Sequence, residues 1–184
     1  MKVSQTPLAD VLLVEVDVRR DDRGHFAETW NAKRYEDAGI PARFVQENVS
    51  FSHRGVLRGL HFQQPFAQSK LVQVLKGGVF DVAVDLRKKS PTFGTWWGTD
   101  LTPENGRQLY IPEGFAHGFL ATKEDTVFHY QCSEFYHPEA EHTIVWNDPD
   151  LNIQWPVDHP TLSPKDAAAQ KFSGWLKEAE SKSV

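Results

Sequence analysis

A long series of short strand-like segments, separated by turn residues, constrains the fold of this chain more than any other feature. Between residues 44 and 134, runs of apolar, β-branched and aromatic residues alternate with Gly, Pro, Asn and Asp. Each strand must therefore end and reverse within a few residues, a spacing typical of an antiparallel sandwich or barrel. The predicted strands are 44–52, 56–62, 70–76, 79–85, 94–101, 107–111, 116–121 and 126–134.

The segment before this series predicts a strand, a turn, a return strand and one short helix. Residues 11–18 read as the strand and residues 25–30 as its return, across the turn DDRG. A helix is predicted over 31–38, with Asn31 as its N-cap and Gly39 as its stop.

The adjacent glycines Gly77 and Gly78 predict a two-residue β-hairpin between strands 70–76 and 79–85. Glycine adopts the positive φ angles that such a turn requires, so this is a strong local signal for pairing of the two flanking strands.

The pattern changes at Ser163, where an N-cap, a proline and an acidic third position predict the start of a helix. Asp166 is that third position, and the helix is predicted over about 164–180. We expect a single domain over 1–184, with a β-rich core over about 11–162. The predicted class is all-β with short helices, including this C-terminal helix.

Charge and composition exclude several classes of function. The net charge is −5 at pH 7 and the longest basic run is Arg87-Lys88-Lys89, so no basic stripe is available to bind nucleic acid. No apolar run approaches the ~18 residues of a membrane span, and the N-terminus lacks the apolar stretch of a signal peptide. Cys132 is the single cysteine and is expected to be a buried structural thiol. A cytoplasmic protein is the expectation.

One predicted strand carries polar and apolar side chains on opposite faces. Gln46, Asn48 and Ser50 share one face, and Val49 and Phe51 lie on the other. Antiparallel sheets commonly pack one face on the core and expose the other to solvent, so this pattern favours a solvent-exposed polar face.

Five further polar residues form an acid–base set together, although none of them favours a catalytic interpretation when taken alone. They are His61, Lys70, His117, Tyr130 and Asp166. For Lys70 a strand-end lysine reaching solvent and an inward-facing one are about equally favoured. The set includes no cysteine nucleophile, Gly-x-Ser-x-Gly elbow or Gly-rich phosphate loop.

The string GVLRGLHFQ at 55–63 closely resembles the dTDP-4-dehydrorhamnose 3,5-epimerase family. Matching strings in the same order extend the resemblance along nearly the whole chain: DRG at 22–24, FVQEN at 44–48, KLV at 70–72, FDVAVD at 80–85, SPTFG at 90–94, IPEGFAHGF at 111–119 and LSPKD at 162–166. The resemblance implies a cupin-type jelly-roll β-barrel, a homodimer, and a cofactor-independent, metal-free isomerase. It implies a dTDP-4-keto-6-deoxy sugar substrate and a role in dTDP-L-rhamnose synthesis, as for O-antigen.

The resemblance also implies roles for individual residues. His61 corresponds to the catalytic base, Asp166 to the carboxylate that orients it, and Tyr130 to the proton donor on the opposite face. Lys70 suits stabilisation of the enolate oxygen that forms when a proton leaves a carbon beside the C4 ketone. The positions that match ligand-contacting residues are Arg23, Glu28, Gln46, Glu47, Asn48, Arg58, His117, Glu141 and Lys165.

A few residues depart from the family pattern. Glu47 stands where Asp is expected, Gln73 where a basic residue is common, and His129 where an aliphatic residue usually precedes the tyrosine. His142 is also unusual beside Glu141. None of these changes removes a chemical role.

Three alternatives stay open. An epimerase of the same chemistry could invert only C3 or only C5. A metal-dependent cupin oxygenase would need a His-x-His pair, whereas this chain has His61-Phe62-Gln63. A sugar-binding module without catalysis would not need both His61 and Tyr130.

The family assignment makes a geometric demand on the strand that contains Arg58 and His61. The two residues have opposite parity, so both reach one pocket only if Gly59 permits a bulge or the ligand spans the barrel mouth.

Overall fold

The computed structural model describes residues 1–41 and 43–181, and most of its regular structure is antiparallel β-sheet. The strands within these residues are β1 (Lys2–Gln5), β2 (Leu12–Glu15), β3 (Arg19–Asp21), β4 (Gly24–Phe26), β5 (Gln46–Ser52), β6 (Leu57–Gln63), β7 (Lys70–Lys76), β8 (Val79–Asp85), β9 (Trp96–Leu101), β10 (Arg107–Ile111), β11 (Phe115–Ala121), β12 (Thr126–Cys132) and β13 (Glu141–Thr143). The α-helices are α1 (Ala32–Asp37), α2 (Pro164–Ala167) and α3 (Phe172–Ser181), and a 3₁₀ turn spans Pro138–Ala140.

Two sheets pack face to face. One has six strands in the order β1-β2-β10-β7-β12-β5, and the other has five in the order β13-β6-β11-β8-β9. Between them lies an apolar core that draws Val72 and Phe128 from the first sheet and Ala83 and Phe119 from the second. Alternating side chains on each strand supply this core, as in a sandwich or barrel. The all-β, cupin-type prediction is confirmed.

Short helices cover the outer faces of the two sheets. Phe172 and Trp175 of α3 pack against Val82 and Val84 of the five-stranded sheet. On the other side, Tyr35 of α1 lies in the cluster that covers part of the six-stranded sheet. Helix α1 begins as predicted, because the Asn31 side chain accepts a hydrogen bond from the Arg34 backbone N–H. None of the helices in the described ranges has the length and apolar character to cross a membrane.

The predicted strands at 70–76, 79–85 and 107–111 have the observed bounds, and the other five differ by at most two residues at each end. The N-terminal segment is less regular than predicted. Residues 11–18 hold only the four-residue β2, and the return strand at 25–30 is the shorter β4. The sheet also begins before the predicted core boundary at residue 11, because β1 pairs with β2.

The predicted hairpin at Gly77 and Gly78 is wrong. Strand β7 pairs with β10 and β12, whereas β8 pairs with β9 and β11, so the glycines connect one sheet to the other. Gly77 does have the positive φ expected of it, at 86°. The strands on either side have long-range partners, and these override the local turn preference.

The continuous helix predicted over about 164–180 is also wrong, although its start is confirmed. The Ser163 hydroxyl caps α2 by accepting the Asp166 backbone N–H at 3.1 Å. After α2 the chain turns extended, and the carbonyl of Gln170 accepts a hydrogen bond from the backbone N–H of Val145. A new helix, α3, then starts at Phe172, whose backbone N–H donates to Asp148.

Candidate active site

A β-bulge in β6 brings Arg58 and His61 to the same pocket. His61 pairs with His117 and Arg58 with Phe119, so three steps along β6 match two steps along β11. The extra residue sits at Gly59, whose φ is +130°. A Cβ there would lie 2.5 Å from the Cα of Gly118, so only glycine fits without displacement. Of the two arrangements that the sequence left open, the structure has the bulge; the Gly59–Leu60 peptide bond beside it is cis.

The pocket between the sheets has a volume of about 590 Å³. Its walls come from β5, β6, β7, β11 and β12, and the segment that leads into α2 closes one side. Ten of the residues predicted for the site line it: Gln46, Asn48, Arg58, His61, Lys70, His117, Tyr130, Glu141, Lys165 and Asp166.

His61 and Asp166 form a hydrogen-bonded pair at one wall. The imidazole Nε2 lies 2.6 Å from Asp166 Oδ1, although the two residues are far apart in sequence. Asp166 is held in turn by the Ser163 hydroxyl, which donates to Oδ2 at 2.8 Å. Burial acts against the charged carboxylate, but the contacts with His61 and Ser163 outweigh it and lower the pKa of Asp166.

The imidazole Nδ1 of His61 makes no protein hydrogen bond within the described residues. A carboxylate on Nε2 fixes the tautomer and stabilises a protonated ring. Because His61 lines the pocket, this pair can therefore accept a proton from a bound molecule.

Lys70 and Tyr130 stand on neighbouring strands and line the same pocket. Within residues 1–41 and 43–181, neither the ammonium nor the phenol has a hydrogen-bonding protein partner. Desolvation lowers the pKa of Lys70, although Cys132, Glu141 and Asp81 oppose this, and desolvation raises the pKa of Tyr130. Two polar groups held in a pocket without partners are available to a ligand.

His117 is fixed by a carboxylate that the sequence did not single out for the site. Its Nε2 lies 2.9 Å and 3.1 Å from the two oxygens of Asp81, which is fully buried on β8. The alternation of β8 placed Asp81 on a face with Ala83, which packs in the core. A carboxylate on that inward face was the signal that could have identified it.

At the mouth of the pocket, Glu141 joins two other side chains. Its carboxylate lies 2.7 Å from the Lys165 ammonium and accepts a hydrogen bond from Tyr136 at 2.8 Å. Burial favours the neutral acid, but Lys165 and Tyr136 outweigh it and lower the pKa of Glu141. Tyr136 was missed because it lies in a loop after β12, where no periodicity separates a ligand-facing aromatic from any other.

The expected orientation of β5 is reversed. Gln46, Asn48 and Ser50 line the pocket, whereas Val49 and Phe51 on the opposite face are 63% and 51% exposed. The prediction of a solvent-exposed polar face is therefore wrong, because a polar pocket lies where an apolar core was assumed. The Ser50 hydroxyl is buried, and no hydrogen-bond partner for it occurs in the described part of the chain.

Three predicted binding residues lie outside the pocket of their own chain. Arg23, in the β3–β4 hairpin, pairs with Asp21 at 2.6 Å. Glu28 pairs with Arg34 at 2.8 Å. Glu47 lies on the outer face of β5.

The residues that depart from the family pattern mostly meet on that outer face. His129 lies 3.0 Å from the Gln73 amide and 3.6 Å from Glu47, which also accepts a hydrogen bond from Gln131. His142 lies elsewhere and stacks on Phe62.

Two further observations concern the cysteine and the arrangement of metal-ligating side chains. Cys132 is buried, as predicted, and burial raises the pKa of its thiol. Among the described residues, no group of three His, Cys, Asp or Glu side chains is arranged to hold a metal ion.

Comparison with known proteins shows that this chain is similar to sugar-nucleotide epimerases. The family model described as dTDP-4-dehydrorhamnose 3,5-epimerase matches residues 5–174. The chain is 53% identical to the dTDP-4-dehydrorhamnose 3,5-epimerase of Pseudomonas aeruginosa, with 94% of this chain and 97% of that protein covered. It is 41% identical to a dTDP-4-dehydrorhamnose 3-epimerase of Streptomyces niveus, over 92% of this chain and 83% of that protein.

A solved structure is similarly close. The dTDP-6-deoxy-D-glucose-3,5-epimerase of Legionella pneumophila, in complex with dTDP-4-keto-L-rhamnose, superposes with a TM-score of 0.92 at 50% identity. The match covers 97% of this chain and 95% of that one.

Proposed function

The chain belongs to the dTDP-4-dehydrorhamnose 3,5-epimerase family, and we propose that its pocket inverts C3 and C5 of dTDP-4-dehydro-6-deoxy-D-glucose to give dTDP-4-dehydro-L-rhamnose. The enzyme is an isomerase. The observation that carries the residue assignment is the 2.6 Å pair of His61 and Asp166 in a pocket that also holds Lys70 and Tyr130.

His61 is the base that removes a proton from the carbon beside the C4 ketone. The electron pair of the broken C–H bond moves to the ketone oxygen, which becomes an enolate. Asp166 stabilises the imidazolium that results, since its carboxylate is charged and hydrogen-bonded to the ring. Tyr130 donates a proton to the same carbon from the other side, which inverts the centre. The enolate electron pair forms the new C–H bond and the C4 ketone is restored. His61 then releases its extra proton to solvent and Tyr130 takes one up, so that both groups return to their starting protonation states.

Lys70 stabilises the enolate oxygen. Its ammonium has no protein partner in the described residues, so binding a developing oxyanion breaks no existing ion pair. Such preorganised cations act where charge develops in the transition state, and losing one costs about 10²–10³-fold in rate.

The polar mouth of the pocket takes the nucleotide. Arg58 and Lys165 supply positive charge for the diphosphate, and Arg guanidinium groups suit bidentate contact with phosphate. Tyr136 presents an exposed ring beside Glu141, and a flat exposed ring at a mouth is suited to stacking on a base. Gln46 and Asn48 line the same pocket, and His117 lies deeper, against Asp81.

The decisive test is proton exchange in deuterated water. Incubation with dTDP-4-dehydro-6-deoxy-D-glucose should introduce deuterium at C3 and at C5, as read by NMR. His61→Asn should abolish incorporation at both carbons, whereas His53→Asn, at an exposed position, should not. Wild-type protein that incorporates no deuterium would refute the proposed reaction.

The second candidate is an epimerase that inverts a single centre, as the 41% identical 3-epimerase is named. The same experiment separates the two, because a 3-epimerase labels C3 alone. Retained activity after chelator treatment separates both from a metal-dependent oxygenase.

We also propose that the protein is a homodimer. Val49 and Phe51 form an exposed apolar pair on β5, which is an edge strand, and such exposed patches mark association sites. Arg23, Glu28 and Glu47 lie away from the pocket of their own chain. In a dimer, these residues would contact the ligand that is bound in the pocket of the second copy.

Complementation tests this arrangement. His61→Asn and Arg23→Ala proteins are each expected to be weakly active. If Arg23 acts across the interface, mixed dimers contain one complete site and regain activity; no gain on mixing would contradict it. Light scattering gives the mass directly.

We further propose a single domain over 1–184 that works in the cytoplasm and supplies a precursor of dTDP-L-rhamnose for surface polysaccharide such as O-antigen. One cooperative unfolding transition and recovery in the cytoplasmic fraction are the expected results.

A further inference from the structure

The side chain of Gln63 connects the strand of His61 to the loops at the pocket mouth. Gln63 follows His61 by two residues on β6 and is only 6% exposed. Its Nε2 donates to the carbonyls of Phe66 at 2.8 Å and Phe135 at 3.1 Å. Its Oε1 accepts the backbone N–H of His137 at 2.8 Å. Both donor hydrogens are thereby used, so the amide has none left for a ligand.

The segment that Gln63 holds carries Tyr136. The ring of His137 in this segment stacks on Phe66 at 4.2 Å, but the two aromatic side chains before it pack less closely. Phe135 and Tyr136 are 57% and 51% exposed. Polar contacts hold the backbone instead: Gln46 accepts the Tyr136 N–H at 2.9 Å, and Gln68 donates to the Glu134 carbonyl at 2.8 Å. Among these amides, Gln63 is the one that bonds on both sides of Tyr136.

We propose that Gln63 is a positioning residue for nucleotide binding. It sets Tyr136, and through the Tyr136 hydroxyl also Glu141, relative to the strand that carries His61. Its effect falls on the affinity of the mouth for the nucleotide and not on proton transfer at the sugar. This inference rests on the proposed function only in assigning the nucleotide to the mouth.

The test uses the full-length protein and dTDP itself as the probe. Gln63→Glu keeps the shape but replaces the two N–H donors with an oxygen that faces two carbonyls; Gln63→Met removes the donors without adding charge. Gln63→Glu loses the two hydrogen bonds that Nε2 donates, and Gln63→Met loses these and the bond from the His137 N–H. The Kd for dTDP and the KM for the sugar nucleotide should therefore rise roughly tenfold or more in both variants. The value of kcat should stay within about threefold of wild type.

The matched control is Gln154→Glu, which makes the same charge change at an exposed amide. Among residues 1–41 and 43–181, the Gln154 side chain hydrogen-bonds to Asn152 alone. It should leave the Kd, the KM and kcat unchanged. A melting temperature lowered in both Gln63 variants with an unchanged Kd would show a purely structural role and overturn the proposal. A loss of kcat without a change in Kd would also overturn it. Absence of deuterium uptake by the wild-type protein would refute the proposed epimerase reaction and not the role of Gln63. The titration with dTDP tests that role independently.

Discussion

Replacing Gly59 with alanine tests whether the bulge in β6 depends on the absence of a side chain. A Cβ at this position would lie 2.5 Å from the Cα of Gly118 and 2.8 Å from the carbonyl oxygen of His117. Both contacts are with backbone, so neither neighbour can rotate away. The added methyl group must therefore separate β6 from β11, beside the pair of His61 and His117.

The chain provides a close control in Gly24. Its φ is +129°, against +130° for Gly59, but a Cβ at Gly24 would have no atom within 4 Å. Gly24→Ala therefore experiences only the backbone strain of a positive φ, on the order of 1–3 kcal/mol. Gly59→Ala experiences that strain and overpacking, which typically adds about 1–3 kcal/mol.

The assay is urea and thermal unfolding of both variants beside wild type. Gly59→Ala should be about 1–3 kcal/mol less stable than Gly24→Ala, which for a chain of this size is a difference in Tm of roughly 2–12 °C. Gly118→Ala, whose Cβ would lie 2.9 Å from the Arg58 carbonyl oxygen at an ordinary φ, should show the crowding alone. Equal stability of the Gly59 and Gly24 variants would refute the steric argument.

Three further predictions concern charged groups. Asp166→Asn should lower kcat by about 10²–10⁴-fold with little change in the Kd for dTDP, because His61 loses its carboxylate partner but the pocket mouth is intact. The rate of deuterium incorporation, followed in reactions quenched at successive times, measures the loss. Lys70→Met should lower kcat by about 10²–10³-fold, and an unchanged kcat would remove Lys70 from the enolate site. Burial of Asp85 acts against its charge, but hydrogen bonds led by Arg87 outweigh it and lower its pKa from 3.8 to about 2. The stabilisation of about 2 kcal/mol is thus present above pH 4 and lost as the pH falls through 2, so Asp85→Asn should flatten the fall in unfolding free energy across that range.

Most strands could be predicted from the sequence because alternation and turn residues act locally. The strands at 70–76, 79–85 and 107–111 have the predicted bounds for this reason. Which strands pair with each other depends on contacts between residues far apart in the sequence. For this reason Gly77 and Gly78, which form a favourable hairpin sequence, connect strands of two different sheets. The C-terminal helix was predicted too long for the same reason, since Gln170 bonds to Val145 instead of continuing the helix.

Site residues could be predicted where the family resemblance assigned them individually. They were harder to predict where the sequence pattern showed only which side chains share a face of a strand. Alternation separated Asn48 from Val49 but could not say which faces the interior, because a polar pocket and bulk water select the same side chains. Asp81 and Tyr136 needed three-dimensional contacts, with His117 and Glu141, before a role could be recognised.

The bulge at Gly59 bears on how sequences of related chains should be aligned. A strand with one residue fewer between its arginine and its histidine would present both side chains on one face without any irregularity, since alternate residues share a face. A one-residue gap at Gly59–Leu60 is therefore compatible with an intact pocket. A gap between His61 and Gln63 is different, because it would turn the amide that holds the mouth loops away from the face that carries the histidine.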